Sequence, residues 1–171
     1  HASFADRPFP AATCVSINDV VVHGIPNESP QTIEEGDIVS IDLVIGHRGL
    51  IVDSARTVGA GKISKDAQAL IDVTRNALSA GIDAAQAGGW VRDIGAAIEK
   101  VVPKRFGIIE TFCGHGVGYA LHEEPIIPNF VMPGKSHQLK PGMVLAIEPM
   151  ITLGGIDVEI LEDGYTAITK D

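Results

Sequence analysis

A chain of 171 residues, 45% hydrophobic and 20% charged, is long enough to bury an apolar core of its own, and one compact unit spanning 1–171 is expected. Thirteen basic against 22 acidic residues leave a net charge of −9, which repels nucleic acid and anionic membranes, and no run of 18 apolar residues offers a membrane span. The start carries no signal-peptide pattern, and Cys14 and Cys113 form neither a CxxC pair nor a dense framework, so buried, reduced thiols in a cytoplasmic protein are expected.

Residues 16–23 (SINDVVVH) read as a short strand, broken at His23-Gly24-Ile25-Pro26 into a loop of Asn, Glu, Ser and Pro. Residues 37–45 (DIVSIDLVI) and 50–58 (LIVDSARTV) are β-rich runs joined by Gly46-His47-Arg48-Gly49, which predicts a hairpin with a four-residue loop. Ser64 is placed to cap a helix reaching about residue 87, and a second helix is predicted over 93–102, stopped by Pro103. Strands return in a segment leading into Gly114, in another running through Gly142 to 151, and in a last stretch over 156–168.

An internal echo crosses this layout. IEEGDIVSIDLVI (33–45) aligns with LKPGMVLAIEPMI (139–151), matching Gly36 with Gly142, Ile41 with Ile147 and Asp42 with Glu148. Duplicated halves, roughly 14–87 and 93–171, packed about a pseudo-two-fold axis would aim both acids at a shared centre.

The hairpin carries the sharpest geometric expectation. A loop centred between His47 and Arg48 sets Asp42 directly opposite Asp53, with Cβ atoms about 4.5–5.5 Å apart. Ile38, Ser40, Val44, Ile51, Ala55 and Thr57 share that face and cannot neutralise two like charges. Such a pair shares a proton or holds a cation. The competing reading is a register slip that turns one Asp to solvent. Val39, Ile41, Leu43 and Ile45 already supply the other, apolar face, which weighs against the slip.

GHGVGYALHEEP (114–125) supplies imidazoles. Oxygen ligands alone suit magnesium or calcium, whereas an added imidazole shifts preference to Mn, Fe, Co or Zn. His115, set between two glycines that permit close backbone approach and positive φ, is the natural nitrogen ligand. His122 taken alone reads more readily as a satisfied core residue. HEEP is not the HExxH zinc helix, because residue 126 is Ile and Pro125 would end a helix there.

FCGHGVGYALHEEP, VSINDVVVHGIP, GDIVSIDL, the Asp of IVDSARTV, and LKPGMVLAIEPMI together resemble the methionine aminopeptidase family, in its shorter type I form, in order and spacing from about Phe9 onward. The resemblance implies an α+β pita-bread fold: a curved, mostly antiparallel sheet with helices on its outer face and two pseudo-symmetric halves. It implies up to two divalent metals, Co, Mn, Fe or Zn, held by Asp42, Asp53, His115 and Glu148. His23 and His122 correspond to the family's two non-ligand histidines that contact substrate. The implied reaction is metal-activated water attack on the first peptide bond. His122 would stabilise the oxyanion, His23 would bind the substrate backbone, and Glu148 would shuttle a proton while remaining a ligand. Phe9, Cys14, Leu121 and Tyr165 fall where walls of a small apolar side-chain pocket are expected. The implied partners are N-terminal methionines of peptides and nascent chains, with ribosome proximity, for a monomer bound to neither nucleic acid nor membrane.

Leu121 and Tyr165 stand where bacterial relatives commonly carry bulkier aromatics, and Ala5-Asp6-Arg7-Pro8 differs from their segment before Phe9. The family's N-terminal helical stretch has no counterpart here, nor has a final strand bearing Glu-His-Thr, whose glutamate bridges both metals in the family; without that ligand at most one tightly held metal is expected. The internal echo offers Glu159 as a replacement ligand, but the family pattern places no ligand there. Xaa-Pro aminopeptidase or dipeptidase activity on the same fold, or a non-catalytic module, are the rival expectations.

Overall fold

The computed structural model describes residues 7–28 and 30–170; Ala5 and Asp6, from the segment singled out before Phe9, lie outside them. Strand β1 (Cys14–Ile17) is followed by a turn and by β2 (Val20–Val22). The single strand expected over 16–23 is therefore two, because Asn18 adopts φ 53 and breaks the extended run. The pieces join different sheets. β1 pairs antiparallel with β3 (Ile38–His47), and β2 pairs with β11 (Ala167–Thr169).

β3 and β4 (Leu50–Gly59) form a long hairpin, with Ile38 opposite Gly59 at one end and His47 opposite Leu50 at the other. The loop is thus only Arg48-Gly49, at φ 50 and 80, and not the expected four residues. Two successive positive φ values give the turn whose twist matches that of the strands, so Gly46 and His47 stay in the ladder. The shift leaves Asp42 opposite Ala55 and Asp53 opposite Val44, one step diagonal to each other rather than directly opposed. Both remain on one face, where the Ser40 and Thr57 hydroxyls meet at 2.7 Å. On the other face Val39 is buried, whereas Ile45 and Val52 are each 52% exposed, so burial does not extend along that face.

Helix α1 (Lys65–Ala84) starts as its sequence dictates, with the Ser64 hydroxyl accepting from Ala67 N at 3.0 Å. Helix α2 (Val91–Val101) begins two residues earlier than predicted. Asp93 accepts from Trp90 N at 2.8 Å and Arg92 N donates to the Ser136 hydroxyl at 2.9 Å, which occupies amides a helix start leaves open. Among the described residues, no helix is long and apolar enough to cross a membrane.

The second half supplies β5 (Gly107–Ile108), β6 (Gly114–Gly116), β7 (Glu123–Ile127), β8 (Leu145–Ala146), β9 (Ile151–Thr152) and β10 (Val158–Ile160). β7, a strand the sequence reading did not foresee, lies beside β6, with β8 on the other side. The strand expected up to 151 is interrupted at 147–150, where Pro149 has no N–H for a ladder. The stretch over 156–168 is the β10–β11 hairpin. Ala77, Val91, Ile94, Ile98, Ile127 and Leu139 form a core between the helices and β7. His115 pairs with Ile126, which points away from Ile127, so His115 projects from the sheet face opposite the helices. Ile51 N donates to Gly118 O at 2.6 Å, tying the first hairpin to the end of β6.

Candidate metal centre

That tie and the β6–β8 pairing bring three elements to one point. Asp53 from β4, His115 from β6 and Glu148 from the break after β8 each offer a ligand atom, all within 4.8 Å of one another. His115 Nε2 lies 3.2 Å from Glu148 Oε1 and 3.8 Å from Asp53 Oδ2. The flanking glycines allow this because β6 is threaded tightly between its neighbours. A Cβ at Gly114 would sit 2.1 Å from Ala146 O, and one at Gly116 would sit 2.4 Å from Glu124 O. Close approach is the whole reason for both; neither adopts the positive φ that was the other expectation.

His115 is buried, and its Nδ1 lies 2.9 Å from Gly116 O. With Nδ1–H donating to that carbonyl, Nε2 carries the lone pair and presents it to two carboxylates. Lone pair and carboxylates repel unless a proton or a cation stands among them. The contact with Glu148 raises the His115 pKa, against the opposing pull of burial. Asp42 sits beside this group, opposite Cys14 on β1, with Thr13 Oγ1 donating to its carbonyl at 2.6 Å. Burial first, and the charge of Asp53 second, push the Asp42 carboxyl up to about 7.

Asp42 Oδ1 and Glu148 Oε1 are buried and accept no hydrogen bond. For Glu148 this agrees with the short approach to His115, since an Nε2 bearing a lone pair has no proton to donate. Two orphaned carboxylate oxygens, a third acid and an imidazole lone pair fit a divalent cation, and the mixed nitrogen and oxygen set suits Mn, Fe, Co or Zn. Glu159, the alternative offered by the internal echo, is exposed on β10 and lies outside the group.

The His122 ring stands edge-on to His115, with centroids 4.4 Å apart. The turn carrying it, residues 117–122, is held by a residue the sequence reading passed over: Glu123 Oε1 accepts from Tyr119 N at 2.6 Å and Ala120 N at 2.7 Å. His23 adopts φ 60 and stands edge-on to Phe112, centroids 6.0 Å apart. Burial lowers the pKa of both His23 and His122, and for His122 the neighbouring His115 adds to it. Both are held towards the neutral form, able to donate from one nitrogen and accept at the other.

Of the expected pocket walls, Phe9 and Tyr165 touch edge-on with centroids 5.2 Å apart, and the Tyr165 hydroxyl donates to Arg7 O. Cys14 is fully buried against Asp42, its thiol pushed up to about 12 chiefly by burial. Leu121 is half-buried on the turn beside His122. Cys113 is likewise half-buried, one residue before β6, and it too is raised by burial and by the charge of Glu148.

A pair of acids on a hairpin, an imidazole from a glycine-flanked strand and a third acid from a strand break thus gather as one set of candidate metal ligands. Residues 1–166 match metallopeptidase family M24, and the chain belongs to that family, with its pita-bread fold. Within the family it is similar to methionine aminopeptidases. The enzyme of Treponema pallidum is 47% identical over 165 residues, which cover 95% of this chain and 64% of that protein. The crystal structure of methionine aminopeptidase from Thermotoga maritima superposes with a TM-score of 0.88 at 42% identity, over 93% of this chain and 64% of that one. An Xaa-Pro dipeptidase from Bacillus anthracis is less similar, with a TM-score of 0.71 at 26% identity over 94% of this chain and 47% of that one. The chain thus spans a little under two thirds of the length of the methionine aminopeptidases it matches.

Proposed function

We propose that the chain is the catalytic domain, built of two related halves, of a metal-dependent aminopeptidase that removes N-terminal methionine from peptides and nascent chains. The observation that carries this reading is the convergence of Asp53, His115 and Glu148 within 4.8 Å, beside the orphaned Asp42 oxygen. Asp53, His115 and Glu148 would hold one divalent cation tightly, Mn, Fe, Co or Zn, with Asp42 assisting. Such a cation supplies a water acidified towards neutral pH and a polarised carbonyl.

The chain's own side chains do the rest. His122, neutral and beside His115, donates a hydrogen bond to the carbonyl oxygen as negative charge builds there. Glu148, whose side chain is 37% exposed, takes a proton and passes it to the leaving amine. His23 binds the substrate backbone, and Phe9, Cys14, Leu121 and Tyr165 wall an apolar pocket for the methionine side chain. A cytoplasmic monomer that meets nascent chains near the ribosome is the setting this activity supports.

The test measures bound metal by elemental analysis alongside cleavage of Met-Gly, Met-Pro and Gly-Pro peptides. One equivalent of transition metal with cleavage confined to Met-Gly is the expected result. Cleavage of Gly-Pro in preference would transfer the chain to the Xaa-Pro class, and absence of both metal and cleavage would leave a non-catalytic module.

A further inference from the structure

Glu148 is the ligand least secured by regular structure. It lies between β8 and β9, directly before Pro149, and its carbonyl takes a hydrogen bond from a side chain: Asn129 Nδ2 donates at 2.8 Å. Asn129 is fully buried, and its other amide atom, Oδ1, accepts nothing. A buried amide with one half unsatisfied costs stability compared with an apolar side chain of similar shape, so stability alone gives no reason for it.

The residue is also clamped from behind. Gly95 in the middle of α2 packs so closely on the chain around Asn129 that a Cβ there would sit 2.3 Å from Phe130 O and 3.1 Å from Pro128 O. Helix, flanking backbone and amide therefore form one closely packed line ending on the backbone of Glu148.

We propose that Asn129 is a positioning residue that fixes the Glu148 carboxylate towards His115 and Asp53, acting through the Glu148 carbonyl and touching neither cation nor substrate. This rests on the metal-centre reading above. Groups that orient a ligand characteristically contribute about 10–100-fold to metal affinity.

The test titrates Mn2+ alone into the metal-free chain and three variants, Asn129→Leu, Asn129→Asp and Glu148→Ala, together with the double variant Asn129→Leu/Glu148→Ala, and records the melting temperature of each without metal. Asn129→Leu removes both the donor and the orphaned acceptor at similar size. Asn129→Asp keeps the shape but replaces the donor with an acceptor. The expected result is an affinity for Mn2+ lowered about 10–100-fold in both Asn129 variants, with the metal-free melting temperature of Asn129→Leu close to that of the parent. In the Glu148→Ala background the Asn129 substitution should have no further effect on affinity, a non-additivity that a merely structural residue would not produce. Unchanged affinity in folded Asn129 variants, additive losses in the double variant, or metal-free unfolding of both Asn129 variants overturns the proposal. Unchanged affinity in Glu148→Ala would instead overturn the metal-centre reading itself.

Discussion

Asp42 and Asp53 occupy one face of the β3–β4 hairpin one step diagonal to each other, Asp42 opposite Ala55 and Asp53 opposite Val44. The offset gives them unequal places. Asp53 stands with His115 and Glu148, while Asp42 lies beside them with an orphaned oxygen and a carboxyl pushed up to about 7. Asp53→Asn should therefore abolish Mn2+ binding, and Asp42→Asn should weaken it while leaving the metal-free fold at least as stable near neutral pH. The sign follows from linkage. A carboxyl whose folded pKa lies above its unfolded value of 3.8 favours the folded state at low pH, and that contribution is lost as pH rises to about 7. Melting curves in chelator should show the parent losing stability over that window and Asp42→Asn losing less. A parallel decline in both would mean that Asp42 does not titrate as its surroundings require.

The same groups predict proton release. Asp42 reaches about 7 and His115 is shifted upward by Glu148, so proton uptake by this group competes with a cation near neutral pH. Apparent Mn2+ affinity should climb as pH rises through about 6 to 8, and calorimetry in two buffers of different ionisation enthalpy should report net proton release on binding. Heats independent of buffer at pH 7 would contradict the electrostatics described.

The shared face of the two aspartates is legible because a hairpin's side-chain parity survives a shift of register by one full pair, although the loop has two residues where the sequence suggests four. The two-residue loop is hidden because Arg48 takes a left-handed conformation that glycine or asparagine more often adopts, whereas Asn18, which splits the first strand, is a residue type that adopts it readily. His115 could be found from its glycines. Glu123 and Asn129 could not, because each acts on backbone atoms that only the folded chain brings near: the amides of 119 and 120, and the carbonyl of Glu148. Strand β7 was obscured by Pro125, which argues against a ladder position in a central strand, yet β7 is the outer strand of its sheet.

Gly114 tests the threading of β6. Its missing side chain leaves room for Ala146 O, 2.1 Å from where a Cβ would stand, and backbone on both sides has little freedom to yield. Gly114→Ala should cost about 1–3 kcal/mol, the range typical of overpacking. Because the displaced strand carries His115, metal affinity should fall with it. Denaturant unfolding of the metal-free protein and a Mn2+ titration check the two effects separately, and an unperturbed variant would mean that β6 and β8 are less closely packed than described.

His115 and His122 lie ring to ring, 4.4 Å apart, yet their surroundings differ. His115 is locked by Gly116 O with Nε2 towards Asp53 and Glu148, whereas the turn bearing His122 is held through Glu123 and its imidazole is kept towards the neutral form by burial and by its neighbour. A residue that meets only developing charge should affect turnover and not binding of the cation. His122→Ala is therefore expected to lower kcat on a Met-Gly peptide by about 10²–10³-fold, the loss typical of removing one oxyanion donor, with Mn2+ affinity within about twofold of the parent. His115→Ala should lose the metal first, and its activity should return in part when Mn2+ is raised far above the parent's requirement. The decisive comparison is the pair of titrations set against the pair of turnover numbers. Equal metal affinities in the two variants would erase the division of labour between these imidazoles, and full turnover in His122→Ala would remove His122 from the reaction altogether.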